Sequence, residues 1–459
     1  DSIFDISEIQ SILDSLRKKK KYHLLKDGTI LNLQEKYFSD LENVINTANL
    51  NPKEINKSMQ IPIFKLLQLE SWLEFKNLPP EALKFLHDLR NYSTINYPID
   101  KSLVNVLRDY QKEGDRWLFN LAYYKLGGIL ADEMGLGKSI QIIYFFKKLL
   151  SEDKDSKFLI IVPTSLVYNW ENEFNKFAPN IKYEIFHGNR ANRRERLETS
   201  KSSVYITSYG LIREDIEIYK NMNFKVCVID EAQNIKNPDI GITKCVKSIK
   251  ANTRIALTGT PLENSVMELW SIFDFIMPGF LSNQNKFKSK YKVKDFDDDT
   301  NKLLDRLNKQ ISPFILRRKK MDVLSDLPDK IENNIYIDLD PDQKKIYALE
   351  VKRVREEIDE LVSSAGFMKS KFMILKLLTR LRQICIDPRL VYENYNLGSS
   401  KMDNLINVIL ELISNGHKIL LFSSFKTALE LVIDEFNKND ISYYFINGSV
   451  KIGRASCRE

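Results

Sequence analysis

The sequence predicts an α/β protein built on a parallel sheet, with a second α/β unit begun near its end. Three observations carry this. Short apolar runs alternate with amphipathic segments from about residue 101 to 265. One of those runs leads directly into a glycine-rich loop, "ADEMGLGKS". The alternation then resumes at "KILLFSS" after a helical stretch. Apolar runs with no polar face are what strands buried on both sides look like, because helices cover a parallel sheet on both faces.

At 459 residues the chain exceeds one ordinary core, so several domains are expected. Its 43% hydrophobic and 29% charged residues are those of a globular protein, not a disordered one. No apolar run approaches the ~18 residues of a membrane span, so no membrane partner is expected. The opening "DSIFDISEIQ" has no initiator Met, no basic stretch and no apolar signal region, and is expected to be an internal start of a longer protein. Cys227, Cys245, Cys385 and Cys457 form no CxxC pair and have no His at ligand spacing, so free thiols and no structural zinc are expected. A net charge of +7 is too mild over this length to imply nucleic acid by itself.

Residues 1–100 read as a small α-rich unit. Here "ISEIQSILDSLRKKKKYHLL" is amphipathic, "KDGTILNL" looks like a short hairpin, and "NYPIDKSL" is a linker. The run Arg17 to Lys21 reads as a solvated helix end, with contact to phosphates as the alternative. In residues 101–265 the expected strands are "GGILAD", "KFLIIVP", "SVYITS", "KVCVIDE" and "RIALTGT". Several end in small or polar residues, at the edge where open α/β sheets bind ligands. Residues 266–330 are helical and charged, and 331–400 form a further helical block. In 401–450, "KILLFSS" reads as a strand, "FKTALELVIDEFNKN" as its helix and "SYYFING" as the next strand.

The glycine-rich loop follows a strand and opens the helix "SIQIIYFFKKLL", the context that makes it a phosphate-binding loop. Gly135 and Gly137 allow the backbone, with Leu136 between them, to turn its N–H groups toward phosphates. Lys138 is placed to reach the β/γ oxygens, and the Ser139 hydroxyl to bind Mg²⁺ at a helix N-terminus. Asp132 stands where the usual pattern has its first glycine. "VCVIDEAQ" ends a strand in two carboxylates, which are costly to bury without a cation. Asp230 is assigned to the Mg²⁺ shell and Glu231 to deprotonating the attacking water. Gln111 lies upstream, where an amide can read adenine, and Thr258, Gly259 and Thr260 in "ALTGTPLENS" are placed to sense the γ-phosphate.

Together these segments resemble the Snf2 family of superfamily 2 helicase-like ATPases, from about Leu107 to Ser449. "DEMGLGKS", "DEAQ", "LTGTPLEN" and "ILRRKKMDVLSDLP" match its motifs, Asp132 included, while Gln233 stands where many members have His. The resemblance implies tandem RecA-like lobes, the first complete in 101–265 and the second truncated. The intervening segments are then 266–330, a helical insertion and inter-lobe junction, and 331–400, a helical insertion of the second lobe. Residues 1–100 resemble the end of the accessory domain that precedes the motor in bacterial members.

The resemblance also implies ATP-driven translocation on double-stranded DNA in the bacterial cytoplasm, with Pro163, Thr164, Thr207, Ser208, Ser423 and Ser424 contacting phosphates from loops after strands. A protein displaced from or remodelled on that DNA is the implied partner. "FHGNRANRRERL" and "ILRRKK" are candidates for added electrostatic grip. Three rivals remain: an RNA or DNA helicase of the same superfamily, an idle binding scaffold, and a small-molecule kinase. The motifs holding the arginine finger do not occur before the end, so the chain in isolation is expected to be inactive. The tail 451–459, "KIGRASCRE", is expected to be non-native, because its natural back-translation matches the start of a sequencing-library adapter.

Overall fold

The computed structural model describes residues 6–35, 38, 63–69, 78–94, 106–259, 266–291, 298–323 and 331–448. The tail 451–459 lies outside them. The chain divides into two compact units, Asp1–Leu327 and Pro328–Glu459.

The first unit opens with the helix Ile6–Arg17 and an antiparallel hairpin of β1 (Tyr22–Leu24) and β2 (Ile30–Asn32). The helix turns Ile12, Leu13 and Leu16 onto Leu25, Leu33 and Phe38, which gives this element a small core of its own. Lys18 to Lys21 are exposed, with Lys18 paired to Asp14 one helical turn away, as a solvated helix end should be.

The main element is a seven-stranded parallel sheet, composed of β3 (Gly128–Leu130), β4 (Phe158–Val162), β5 (Tyr183–Phe186), β6 (Val204–Ser208), β7 (Asn223–Ile229), β8 (Lys250–Leu257) and β9 (Ile315–Leu316). Their order across the sheet is β5-β6-β4-β7-β8-β3-β9. The five strands read from the sequence are all present, and β4 and β6 are buried at every residue. Two strands were not read, and both sit at the sheet's edges. β5 is only half-buried and mixed in polarity, and β9 is two residues long, too short to carry a period. The register aligns the strand ends: Leu130 pairs with Leu257, Ile229 with Ala256, Ile161 with Ile229, and Val162 with Ser208. The loops that follow therefore open along one edge. Helices Asp109–Tyr123 and Lys138–Glu152 pack on the sheet through Trp117, Leu118, Leu121, Ile142, Phe145 and Phe146. Cys227 is buried in β7, where desolvation pushes its thiol up to about 12, and it is free, as are Cys245 and Cys385.

In the second unit, helices Pro341–Ala365 and Phe367–Ile386 meet at Gly366 and fold back on each other. The pair is fixed by Gln343 Nε2 donating to the Ile384 carbonyl (2.9 Å) and by Glu350, which accepts from Arg380 and from the Tyr392 hydroxyl. Helices Ser400–Ser414 and Lys426–Lys438 pack through Met402, Ile406 and Val432. The two strands expected here are not formed: "KILLFSS" and "SYYFING" run without ladder hydrogen bonds among the described residues. Leu420, Phe422 and Tyr444 are 84%, 85% and 85% exposed. Apolar sequence makes a buried strand only where neighbouring backbone and covering helices receive it, and neither segment pairs with the other.

Asp115, on the helix Asp109–Tyr123, is buried with Oδ1 lacking any hydrogen-bond partner. Desolvation raises its pKa from 3.8 to about 7, against the opposing charges of Lys148 and Arg116. Between about pH 4 and pH 7 the folded state holds a proton that the unfolded chain has released, so stability falls as pH rises through that window. Asp115→Asn keeps the shape and removes the charge. It should melt at a higher temperature than the parent at pH 8 and at an equal temperature near pH 4. Equal melting at pH 8 would mean that Asp115 is charged and stabilised there.

Candidate functional site

β3 delivers the chain to the loop 131–137, and the helix Lys138–Glu152 begins immediately after it. Gly135 and Gly137 have φ of 88° and 75°, a left-handed conformation that glycine adopts without penalty. At Gly137 a Cβ would also come within 2.6 Å of Gln111 Nε2, so the turn has room only for glycine. Leu136 is buried, and its carbonyl accepts from Gln111 Nε2 and the Tyr110 hydroxyl, both at 3.1 Å. Gln111 Oε1 accepts from the Arg108 N–H at 3.0 Å. Both ends of the amide expected to read adenine are thus engaged with the protein, holding the helix start against the loop. Lys138 Nζ donates to the Asp132 carbonyl at 2.9 Å, across the curl of the loop, and Ser139 follows in the first helical turn.

The acid at the head of the loop has a specific partner. Asp132 is 0% exposed and paired with Arg318: Nε donates to Oδ1 at 2.9 Å and Nη2 to Oδ2. Gln141 completes the cluster, with its Nε2 donating to Asp132 Oδ2 (3.1 Å) and its Oε1 accepting from Arg318 Nη2 (2.9 Å). Arg318 Nη1 donates to the Tyr110 carbonyl. The cluster presses on the neighbouring helix at Gly114, where a Cβ would fall 2.0 Å from Gln141 Oε1 and 2.9 Å from Arg318 Nη2. Backbone bonds continue the contact: Ala131 N donates to Leu316 O (2.7 Å), Glu133 N to Arg318 O (3.0 Å), and Lys320 N to Glu133 Oε2 (2.8 Å). Sequence reasoning took "ILRRKK" as a junction or a basic grip and did not pair it with Asp132.

The two carboxylates end β7. Asp230 Oδ2 accepts from Trp170 Nε1 and Oδ1 from the Glu231 N–H, both at 2.9 Å, while the Tyr209 hydroxyl donates to the Asp230 carbonyl (2.7 Å). Burial raises the Asp230 pKa and the Trp170 bond opposes it. Burial lowers the Lys138 pKa, and the charges of Asp230, Asp132 and Glu231 oppose that shift in the same order. The loop lysine and the acidic strand end therefore share one electrostatic environment. Glu231 has φ 50° and ψ 61°, a left-handed conformation that costs a non-glycine residue ~1–3 kcal/mol. Its Oε2 accepts from Gln233 Nε2 (2.8 Å), and Gln233 Oε1 accepts from the Thr258 hydroxyl (3.4 Å). Thr258 is buried at the end of β8, and a Cβ on Gly259 would meet Met134 Cγ of the phosphate loop at 2.7 Å. Thr260 lies outside the described residues. Trp170 and Tyr209 carried no signal in the sequence beyond a helical or strand-end aromatic.

The residues read as contacting DNA phosphates divide. Pro163 and Thr164 follow β4, with Thr164 exposed on the ligand edge of the sheet. Thr207 and Ser208 are the last two residues of β6, not loop residues, and both are buried. The Thr207 hydroxyl donates inward to the Phe186 carbonyl (3.4 Å), on the neighbouring strand. Ser423 and Ser424 are exposed in the second unit, where Ser423 Oγ accepts from the Phe425 N–H at 3.1 Å. In the arginine-rich helix Arg190–Thr199, three of the arginines pair with acids of the fold. Arg193 is buried against Asp215 and Glu214, Arg194 bonds Asp215, and Arg196 bonds Glu184 (2.8 Å). Among the described residues no three His, Cys, Asp or Glu side chains cluster to hold a metal, and no helix is long and apolar enough to cross a membrane.

Comparison with known proteins follows the same outline. The model described as "Bacterial SNF2 helicase associated" matches residues 2–113, and the SNF2-related domain matches residues 110–390. An "Uncharacterized ATP-dependent helicase" of Mycoplasma pneumoniae is 38% identical over 392 residues, covering 84% of this chain and 37% of that protein. MG018, an "Uncharacterized ATP-dependent helicase" of Mycoplasma genitalium, is 36% identical over 381 residues, covering 83% of this chain and 36% of its own length. The chain thus spans little more than a third of these relatives. Among solved structures, the Sulfolobus solfataricus SWI2/SNF2 ATPase core in complex with dsDNA shares 38% identity, with a TM-score of 0.46, covering 72% of this chain and 70% of that one. The SNF2-related match takes in more than half of the chain, including the phosphate loop and the acidic strand end, and the protein belongs to the SNF2 family.

Proposed function

We propose that the chain carries the ATP-hydrolysing core of a motor that translocates on double-stranded DNA. The observation that carries this reading is the convergence of Lys138, Asp230 and Glu231 at the ligand edge of the sheet, with Gln233 and Thr258 joining the acidic pair to the next strand end. The glycine curl leaves space for phosphate oxygens, and Lys138 supplies the cation there. Ser139 and Asp230 are the residues that would hold Mg²⁺, which favours few protein ligands and takes the rest from phosphates and water. The metal would neutralise charge developing on the phosphates. Glu231 would orient the attacking water and accept its proton at the carboxylate, while Gln233 fixes the side chain from the other oxygen.

Residues 101–265 are read as the first RecA-like lobe, 266–330 as the insertion and junction, and 331–450 as the insertion and start of the second lobe. DNA is proposed as the partner on the strength of SNF2 membership. Thr164 at the sheet edge and Ser423 in the second unit are the exposed hydroxyls best placed to meet phosphates. Closure around ATP and grip on the duplex would then be linked, as in other enzymes whose cleft closes on substrate.

Lys138→Ala should abolish ATP–Mg²⁺ binding with little change in melting temperature, because the ammonium is hydrogen-bonded to the loop carbonyl of Asp132 and faces the acidic strand end, not the apolar core. Equilibrium titration with a fluorescent ATP analogue reads this directly, and equal affinity in variant and parent would remove the phosphate assignment. Glu231→Gln, tested in the longest natural form of the protein, should keep ATP and DNA binding while turnover falls by ~10²–10⁴. Duplex DNA should stimulate that turnover, and its binding should weaken with salt with a log–log slope near −0.9 per phosphate contacted. Stimulation by RNA and not by duplex DNA would favour an RNA helicase instead.

A further inference from the structure

We propose that Arg318 is a positioning residue for the nucleotide site: by neutralising Asp132 it keeps the loop lysine, Lys138, available to phosphates. This rests on the reading of Lys138 as the phosphate-binding cation. Asp132 and Lys138 belong to the same loop, and the ammonium already lies at the Asp132 carbonyl, 2.9 Å away. The Asp132 carboxylate is fully buried, so it must have a cation or a dense set of donors. Arg318 provides two donors and Gln141 a third. Without the guanidinium, Gln141 alone would face a buried anion. Lys138, hydrogen-bonded to the carbonyl of the same residue and already under the charge of Asp132, is the loop cation that an unpaired carboxylate would attract. An ammonium held there is withdrawn from the phosphate cradle.

Two features support a dedicated role over a chance ion pair. Arg318 lies just beyond β9, where the Leu316 carbonyl accepts from Ala131 N and the Arg318 carbonyl from Glu133 N, so its approach is fixed by backbone as well as by charge. Gly114 clears the space the cluster occupies, since any side chain there would overlap Gln141 and Arg318. The same approach brings the Lys320 side chain beside Gly135, 3.3 Å from where a Cβ would stand. The segment that leads toward the second unit therefore sets the charge state of the loop, and nucleotide affinity should respond to it.

The test compares affinity for a fluorescent ATP analogue with Mg²⁺ in the parent, Lys138→Ala, Arg318→Met, and Arg318→Met combined with Asp132→Asn, each confirmed folded by circular dichroism. Arg318→Met should lose roughly tenfold or more in affinity, as expected when one partner of a buried pair is left unmatched. The double variant has no carboxylate left to capture Lys138 and should bind at least ~5-fold more tightly than Arg318→Met. A merely structural role for Arg318 predicts that affinity follows melting temperature across these variants, whereas capture of Lys138 predicts a loss of affinity in Arg318→Met larger than its loss of melting temperature accounts for, so both are measured. Parent-like affinity in Arg318→Met, or a double variant that binds no better, overturns the proposal. If Arg318→Met does not fold, the double variant decides alone: it should fold and bind more tightly than Lys138→Ala, and failure in either respect overturns the proposal. If the parent binds no nucleotide, or Lys138→Ala binds equally well, the reading of the site fails and this inference falls with it.

Discussion

The buried pair of Asp132 and Arg318 is the constraint on which the rest of the site depends. It joins two positions 186 residues apart and fixes the head of the phosphate loop, the start of the helix bearing Gln111, and the last strand of the sheet. Breaking such a pair from one side typically costs ~3–5 kcal/mol, a large fraction of the stability of a domain. The usual phosphate loop has a glycine where Asp132 stands and leaves that point free. Here the loop is anchored to a segment that leads out of its own unit, and an apparent irregularity of the motif becomes its attachment.

A second chain of contacts runs along the carboxyl edge of the sheet. Trp170 holds Asp230, Gln233 holds Glu231, and Thr258 holds Gln233. Each bond is modest alone, about 1 kcal/mol net, but together they set the orientation of both carboxylates before any ligand arrives. Under the proposed role of these carboxylates in hydrolysis, that is preorganisation of the kind electrostatic catalysis requires. Gln233 fills this linking place with an amide, whose donor and acceptor ends serve Glu231 and Thr258 at once.

Much of this was legible in the sequence, and what was missed has physical causes. The central strands announced themselves because full burial demands unbroken apolar runs, and the phosphate loop because its backbone demands glycine at Gly135 and Gly137. The edge strands β5 and β9 were silent, since half-burial and two-residue length leave no period to find. Thr207 and Ser208 were assigned to a loop contact although they close an expected strand, and strand pairing holds both in the ladder. The arginines from Arg193 to Arg196 looked like a polyanion grip, but their partners Glu184, Glu214 and Asp215 lie on other elements, visible only once the chain is folded. "KILLFSS" and "SYYFING" erred the other way: local composition was right for strands, but a strand exists only with neighbours. Arg318 and Trp170 belong to the same class of long-range partners.

The left-handed backbone at Glu231 has a consequence for how this position varies over evolutionary time. A residue with a side chain is held there in a conformation that glycine or asparagine would occupy more comfortably, so thermodynamic drift at this site points away from the carboxylate. Under the proposed role of Glu231 in hydrolysis, only continued demand for turnover opposes that drift. A descendant relieved of hydrolysis, retained for instance as a passive adaptor, would be expected to lose the acid early and become more robust as it did so. The residue at this one position would then separate hydrolysing copies from their retired relatives, even where the surrounding loop and sheet are unchanged.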